Sequence, residues 1–302
     1  MDVETPPRGP AGRNRRGAIQ DILELPVFPD FTGDEAPPRN LEQAGQAAKL
    51  RFRSIWLSDI HLGTRGCKID FLLDFLRNTE SEYLYLAGDI IDAWQLKKSW
   101  YWPQSHNEAL RLVLRKAGRG TQVYYIPGNH DEFLRGYTDM RFGGISLLDD
   151  MVHVTADGRR FLIIHGDAFD GVVSHARWVA ALGDWSYQFA LRANSMLNRV
   201  RRHLGYPYWS LSAYLKEKVK NAVSFISSYE QALVEAARER RVEGVVCGHI
   251  HKADLRDIEG ITYANDGDWV ESCTALVEHD SGELEILRWA EMRHFSFHDT
   301  LQ

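Results

Sequence analysis

The chain has 302 residues, 44% of them hydrophobic, enough to bury a full core; it reads as one large domain with an insertion rather than as a disordered chain. Its formal charge of -6 and pI near 6.1 exclude a general nucleic-acid binder, because a polyphosphate partner selects a strongly basic footprint. Cys67, Cys247 and Cys273 are odd in number and share no close spacing, so they form neither a disulfide framework nor a thiolate metal site, and a reducing, cytoplasmic setting is expected.

In chain order, residues 1–50 carry Pro6, Pro7, Pro10, Pro26, Pro29, Pro37 and Pro38, and an irregular extension is expected there. Its first residues lack the apolar region of a secretory signal. Short β-rich runs follow at Phe52 to Leu57, Tyr83 to Leu86, Gln122 to Ile126 and Phe161 to Ile164. Between them, Cys67 to Arg77 and Gln104 to Lys116 carry leucines at helical spacing. This is βαβ organisation, in which ligands bind outside the carboxyl ends of the strands. Residues 168–241 have two long helical patterns around a Gly-Tyr-Pro-Tyr-Trp break at Gly205 to Trp209, the texture of an inserted helical cap. Strand character returns at Gly244 to Cys247, and Ile261 to Ala264, Ala275 to Glu278 and Leu284 to Trp289 read as a closing meander. The expected division is a core of residues 51–167 and 242–292, the cap between them, and a tail at 293–302. No apolar run approaches the roughly 20 residues that cross a bilayer, so the protein is expected to be soluble or to lie on a membrane surface.

Polar clusters follow directly on five of the apolar runs: Asp59-Ile60-His61, Gly88-Asp89, Gly128-Asn129-His130-Asp131, His165-Gly166-Asp167 and Gly248-His249-Ile250-His251. Residues two apart on a strand share a face, so Asp59 with His61, and His249 with His251, are expected to send both side chains to one site. Carboxylate and amide oxygens mixed with imidazole suit Mn2+, Fe2+ or Zn2+, whereas calcium calls for oxygen ligands alone. Asp89 is the natural bridge, because one carboxylate spans the roughly 3.5–4 Å between paired cations that clamp a phosphoryl displacement. Any one cluster is also explained as a turn or a cap; five at consecutive strand ends are not.

In these motifs the chain resembles the calcineurin-like metallophosphoesterase superfamily, whose ordered signatures stand here as Asp59/His61, Gly88-Asp89-Ile90-Ile91-Asp92, Gly128-Asn129-His130-Asp131, His165 and Gly248-His249-Ile250-His251. The resemblance implies an α/β fold, a four-layer α/β/β/α sandwich with the helical cap inserted. It implies that Asp59, His61, Asp89 and His251 hold one divalent cation, most simply Mn2+, and that Asp89, Asn129, His165 and His249 hold a second. It further implies that His130 lies over the phosphate as a catalytic group, with Asp131 orienting its imidazole, and that water activated by the metals attacks phosphorus. Asp92 and Asp167 are expected as supports of the ligands, although a helix N-terminal carboxylate explains Asp92 nearly as well. Asn265, Gly267 and Asp268 are expected in a turn, with closure of the far side of the site as the alternative.

The insertion is rich in aromatics and basic residues, among them Trp178, Trp185, Arg199, Arg201, Arg202, Tyr206 and Trp209. Such a helix pair suits an anionic membrane surface or an acyl-bearing ligand, and equally an ordinary cap packed on itself. With the cap between the fourth and fifth motifs, the chain resembles the branch containing UDP-2,3-diacylglucosamine diphosphatase. That resemblance implies hydrolysis of a lipid-linked sugar nucleotide to lipid X and UMP at the cytoplasmic face of the inner membrane. Asn129, His130, Lys216, Lys220 and Asn221 are the expected substrate contacts. His130 stands where the diphosphatases of that branch carry Arg, so hydrolysis of another soluble or lipid phosphate stays open, as does a non-catalytic metal-binding scaffold.

Overall fold

A computed structural model of the chain describes residues 49–173 and 226–292. The N-terminal segment to residue 48, most of the expected cap, and the tail from 293 lie outside the described residues.

The β-rich runs pair into two sheets. The first contains β1 (Leu50–Leu57), β2 (Thr79–Leu86), β3 (Gln122–Tyr125), β4 (Arg141–Phe142) and β5 (Ile145–Leu147), with β11 (Thr274–Glu278) and β12 (Leu284–Arg288) returning to its other edge. Its order is β12-β11-β1-β2-β3-β5-β4, with parallel pairing across β1, β2, β3 and β5. The second contains β6 (Met151–Val154), β7 (Arg160–Ile163), β8 (Gly244–Cys247), β9 (Asp254–Ile258) and β10 (Ile261–Asn265). It runs β6-β7-β8-β10-β9, with β7, β8 and β10 parallel.

Strand periodicity sorts the core into layers. Ile55 and Leu57 of β1 and Leu84 and Leu86 of β2 face helices α1 (Ile69–Asn78) and α3 (Gln104–Gly118), meeting Leu72, Phe75, Leu76, Leu112 and Val113. The intervening Trp56 and Tyr85 face the other way and, with Leu276, meet Phe161, Ile163, Val246 and Ala264 of the second sheet. The opposite face of that sheet presents Leu162, Val245, Cys247 and Tyr263 to a helix at residues 226–239, here α4, through Tyr229, Leu233, Val234 and Ala237. The result is the expected α/β/β/α sandwich. Residues 226–239 fall inside the span expected as the insertion, yet their buried stripe makes them the outer layer of the second sheet. A helical period alone does not say which surface a stripe covers.

A polar network centred on Glu278 joins the two sheets. The buried Glu278 carboxylate on β11 accepts from Ser54 Oγ at 2.5 Å, Arg53 Nη1 at 2.7 Å and the Ala156 N–H at 2.7 Å. Its Oε2 lies 2.8 Å from His153 Nε2, whose Nδ1 is 2.7 Å from Tyr85 Oη. Burial pushes the Glu278 carboxyl up, but the hydrogen bonds from His153 and Ser54 outweigh it and hold it below the usual range. A depressed folded-state pKa adds stability that is complete above the unfolded glutamate value, about 4.3, and is lost as pH falls through the folded value. The thermal midpoint of the wild type is therefore expected to fall below about pH 4, whereas Glu278→Gln should be less stable at pH 7 by about 1–3 kcal/mol and show a flatter acid limb. Parallel curves from thermal melts across pH would remove this role from Glu278.

Candidate metal centre

The parallel strands of each sheet deliver their carboxyl ends to one edge, and the two edges meet there: the His249 N–H, just past β8, donates to Asp59 Oδ2, just past β1, at 2.8 Å. Convergence of the paired residues does not come from strand alternation as expected. Asp59 and His61 have φ of 49° and 53°, His249 and His251 of 71° and 55°, and Asp89 of 54°, all left-handed. The strands end before the motifs begin, and the chain turns each donor inward through a conformation that costs a non-glycine residue roughly 1–2 kcal/mol. Backbone bonds between the loops hold that geometry: the Asp59 N–H donates to the Gly88 carbonyl at 3.0 Å and the His61 N–H to the Asp89 carbonyl at 2.9 Å. Glycine is required where the loops touch. A Cβ on Gly128 would lie 2.2 Å from Asp89 Oδ1, and one on Gly88, at φ 95°, 2.2 Å from His165 Nδ1.

The donor atoms gather in linked groups. Asp59, His61 and His251 offer atoms within 4.8 Å of one another, as do Asp89, His165 and His249, and Asp89 also groups with His61 and His130. Within them, His251 Nε2 is 3.1 Å from Asp59 Oδ1, and His165 Nε2 is 3.4 Å from Asp89 Oδ2. Asp59 Oδ1, His61 Nε2, Asn129 Oδ1 and His165 Nε2 are buried without hydrogen-bond partners. Buried polar atoms are seldom left so, and these four carry the lone pairs that a cation would take.

The charges fit the same occupant. Burial pushes Asp59 up, but the adjacent His251 and His61 imidazoles outweigh it and hold its carboxyl well below the usual range. Burial pushes His61 and His165 down, yet the adjacent carboxylates, Asp59 and Asp92 for the first and Asp89 for the second, bring each up to about 10. The carboxylates thus demand positive charge, which protonated imidazoles or divalent cations can supply, and cation binding would release those protons.

A ring of supports surrounds the donors. His61 Nδ1 is 3.2 Å from Asp92 Oδ2, and the His165 Nδ1–H donates to the Ala87 carbonyl at 2.9 Å. Asp92 also caps α2 (Ala93–Lys98) by accepting from the Gln95 N–H at 2.8 Å, so both expected explanations of this residue apply together. His130 lies at the rim with its Nδ1 3.0 Å from Asp92 Oδ1 and its ring 4.5 Å from Trp94.

The expected partnership of Asp131 with His130 is corrected by the geometry. Asp131 points away into the core and accepts from Tyr125 Oη and the Gly128 N–H, both at 2.6 Å, and from the Ile90 N–H at 2.8 Å. The turn into the 3-10 helix Glu132–Tyr137 carries the Asp131 carboxylate to the loop N–H groups, and Asp92, 3.0 Å from His130 Nδ1, stands at the imidazole instead. Asp167 pairs with Arg135 at 2.6 Å. Asn265 and Asp268 form turns, Asn265 accepting from the Gly267 N–H at 3.0 Å and Asp268 from the Val270 N–H at 2.7 Å. Lys216, Lys220 and Asn221 lie outside the described residues.

Three further residues emerge only in space. Ser58 Oγ is 2.6 Å from both Asp59 Oδ2 and Asp266 Oδ1, and Asp170 Oδ1 is 2.7 Å from His249 Nε2. Ser58 and Asp266 adjoin residues already singled out, whereas Asp170 carries no local signal of its contact with His249.

A family model described as calcineurin-like phosphoesterase matches residues 52–253, two-thirds of the chain. The chain belongs to the calcineurin-like phosphoesterase family. It is thus a metal-dependent phosphoesterase, and divalent cations are its cofactors. Relatives named UDP-2,3-diacylglucosamine hydrolase include one from Haemophilus influenzae (strain PittGG), 27% identical over 78% of this chain and 98% of its own. Others are from Chromohalobacter salexigens, 28% identical over 68% of this chain and 82% of its own, and from Neisseria meningitidis serogroup B, 24% identical over 74% and 93%. No described helix of this phosphoesterase is long and apolar enough to cross a membrane.

The corrected roles of the two aspartates separate in measurement. Asp131→Ala leaves a buried hydroxyl and two N–H groups without their acceptor, and should cost about 3 kcal/mol or more in urea unfolding. Asp92→Ala should unfold within about 2 kcal/mol of the wild type, a lost helix cap, while losing turnover. A stable Asp131→Ala protein with depressed turnover would return the orienting role to Asp131.

Proposed function

We propose that this phosphoesterase cleaves the pyrophosphate of UDP-2,3-diacylglucosamine, or of a similar lipid-linked sugar nucleotide, using two divalent cations. The observation that carries the reading is the pair of carboxylate–histidine groups joined through Asp89, with buried donor atoms unpartnered on both sides of it. The relatives' names supply the substrate class, because those proteins match over nearly their full length. Asp59, His61, Asp89 and His251 would hold one cation, and Asp89, Asn129, His165 and His249 the other. Mn2+ is the proposed cation, and Fe2+ or Zn2+ also match this mixed carboxylate, amide and imidazole set. When bound, the cations supply charge neutralisation at phosphorus and a water of lowered pKa.

The protein's own groups do the rest. Water adds its oxygen to one phosphorus, and the bridging oxygen leaves with the other, giving the acylated sugar phosphate and UMP. His130, with a side chain 26% exposed and Nε2 3.9 Å from Asp89 Oδ2, is positioned to hydrogen-bond a phosphate oxygen and pass a proton to the leaving oxygen. Asp92, whose Oδ1 is 3.0 Å from Nδ1, would keep that ring aimed. Asn129 lies beside it in the same turn, and Lys216, Lys220 and Asn221 would meet the sugar or phosphate oxygens. Acting on a lipid-linked substrate, the enzyme would work as a peripheral protein at the cytoplasmic face of the inner membrane. The second reading, a phosphodiesterase or phosphatase for another phosphate ester, is favoured by His130 itself, the generic form of the third motif.

Assay of Mn2+-loaded protein on UDP-2,3-diacylglucosamine and on bis(p-nitrophenyl) phosphate separates the two readings; turnover confined to the aryl ester would end the lipid reading. Asp89→Ala should abolish turnover and lower the content of both metals, while His130→Ala should lose about 10²–10⁴-fold in turnover with metal retained. Metal content measured on both variants decides the division of roles, and an emptied His130→Ala protein would contradict it.

A further inference from the structure

His249 is held in the opposite sense to the other histidines of the centre. In His61, His165 and His251 the Nε2 atom turns toward Asp59 or Asp89. In His61 and His165 the Nδ1 atom is occupied behind the ring, by Asp92 and by the Ala87 carbonyl. In His249 it is Nε2 that is occupied, 2.7 Å from Asp170 Oδ1. The His249 side chain is only 7% exposed, its ring lies edge-on to His165 at 5.1 Å, and the Tyr229 ring is 6.0 Å away. Its backbone N–H is tied to Asp59 Oδ2, so both the main chain and the ring of His249 end on carboxylates.

Asp170 belongs to the 3-10 turn Asp167–Val173 that follows β7, and it is not among the described residues whose donor atoms group with Asp89 and His165. It stands behind the imidazole rather than inside the donor group. A carboxylate accepts hydrogen bonds and donates none, so its partner must be Nε2–H, and the imidazole's remaining lone pair is then on Nδ1.

We propose that Asp170 is a positioning residue of the second cation site, fixing His249 as the Nε2–H tautomer so that Nδ1 is the ligating atom. The proposal rests on the two-metal reading above. A carboxylate behind a ligating imidazole sets the ring orientation and raises its basicity, and removing such a partner typically costs about 10–100-fold in metal affinity. An amide can still accept the same N–H through its oxygen but carries no charge, which separates orientation from basicity.

The test uses the full chain and two readouts besides turnover. Titration with Mn2+ followed by electron paramagnetic resonance gives the affinities of both sites. Asp170→Ala should weaken the second cation by about 10–100-fold and leave the first within about twofold, and Asp170→Asn should lose less than Asp170→Ala. In Zn2+-loaded protein with ¹⁵N-labelled histidine, the nuclear magnetic resonance spectrum should show His249 protonated at Nε2 and metallated at Nδ1. Metallation at Nε2, or equal second-site affinity in wild type and both variants, would overturn the proposal. If Asp170→Ala fails to fold, Asp170→Asn and the wild-type spectrum decide it. A wild-type chain that takes up fewer than two cations would sink the two-metal reading itself, a different result from two cations bound with Asp170 irrelevant.

Discussion

Two carboxylates, Asp59 and Asp89, are buried where the ends of two sheets meet, and little else near them would be stable without an answer to their charge. Moving an ion of this size out of water costs several kcal/mol even after the protein relaxes, and apolar contact does not offset it. The local answer is histidine: His61 and His251 face Asp59, and His165 faces Asp89. Imidazole is suited to this because it meets the carboxylate as a proton carrier and a divalent cation as a lone-pair donor, with no change of shape. The same side chains therefore serve the folded chain with or without metal. Helices, sheets and the glycine contacts act by keeping these charges at fixed separation.

The left-handed backbone at Asp59, His61, Asp89, His249 and His251 follows from the same constraint. A regular strand end would direct alternate side chains to the two faces of its sheet, one of them toward the helices that cover it and the other toward the opposing sheet. Neither direction leads out over the edge, where both sheets can contribute to one site. A left-handed residue just past the strand turns its side chain off the end. The strain is tolerated because the loops are bound to one another, with the Leu62 N–H donating to the Ile90 carbonyl and the Asp92 N–H to the Leu62 carbonyl, each within 2.9 Å. Close approach of these loops leaves no room for a side chain at Gly128 or Gly88.

The framework was readable because it rests on local periodicity. The strands β1, β2, β3, β7, β8, β10, β11 and β12, with α1 and α3, lie within a few residues of where apolar runs and helical leucines placed them. β6, Met-Val-His-Val, was passed over despite its β-rich composition, while other elements that escaped had weaker signals. β4 and β5 have two and three residues, and β9 is a polar strand, Asp-Leu-Arg-Asp-Ile, paired with β10 alone among the described strands. The metal motifs were legible because each is contiguous. Asp92 was legible within its motif, but supports distant in sequence were not, since Asp170 is 79 residues from His249 and Asp266 is 208 from Ser58. Asp131 misled for the converse reason: adjacency to His130 suggested partnership, whereas the turn carries its carboxylate to Tyr125 and the loop N–H groups.

His130 separates choice of substrate from maintenance of the centre. Its short contact with Asp89 is made by the backbone, the N–H donating to Oδ1 at 2.8 Å, and every residue type except proline offers that group at this position. Its imidazole is held from the outside, by Asp92 and by Trp94 on α2, and reaches Asp89 only at 3.9 Å. Asp92 does not depend on it either, because the same carboxylate accepts from the α2 N-terminus and faces His61. The side chain at position 130 is thus free to differ in charge and reach without disturbing the buried carboxylates. Relatives sharing one metal centre can therefore diverge here in the group that meets the phosphate, and a resemblance in the metal motifs constrains the bond broken more tightly than the molecule that carries it.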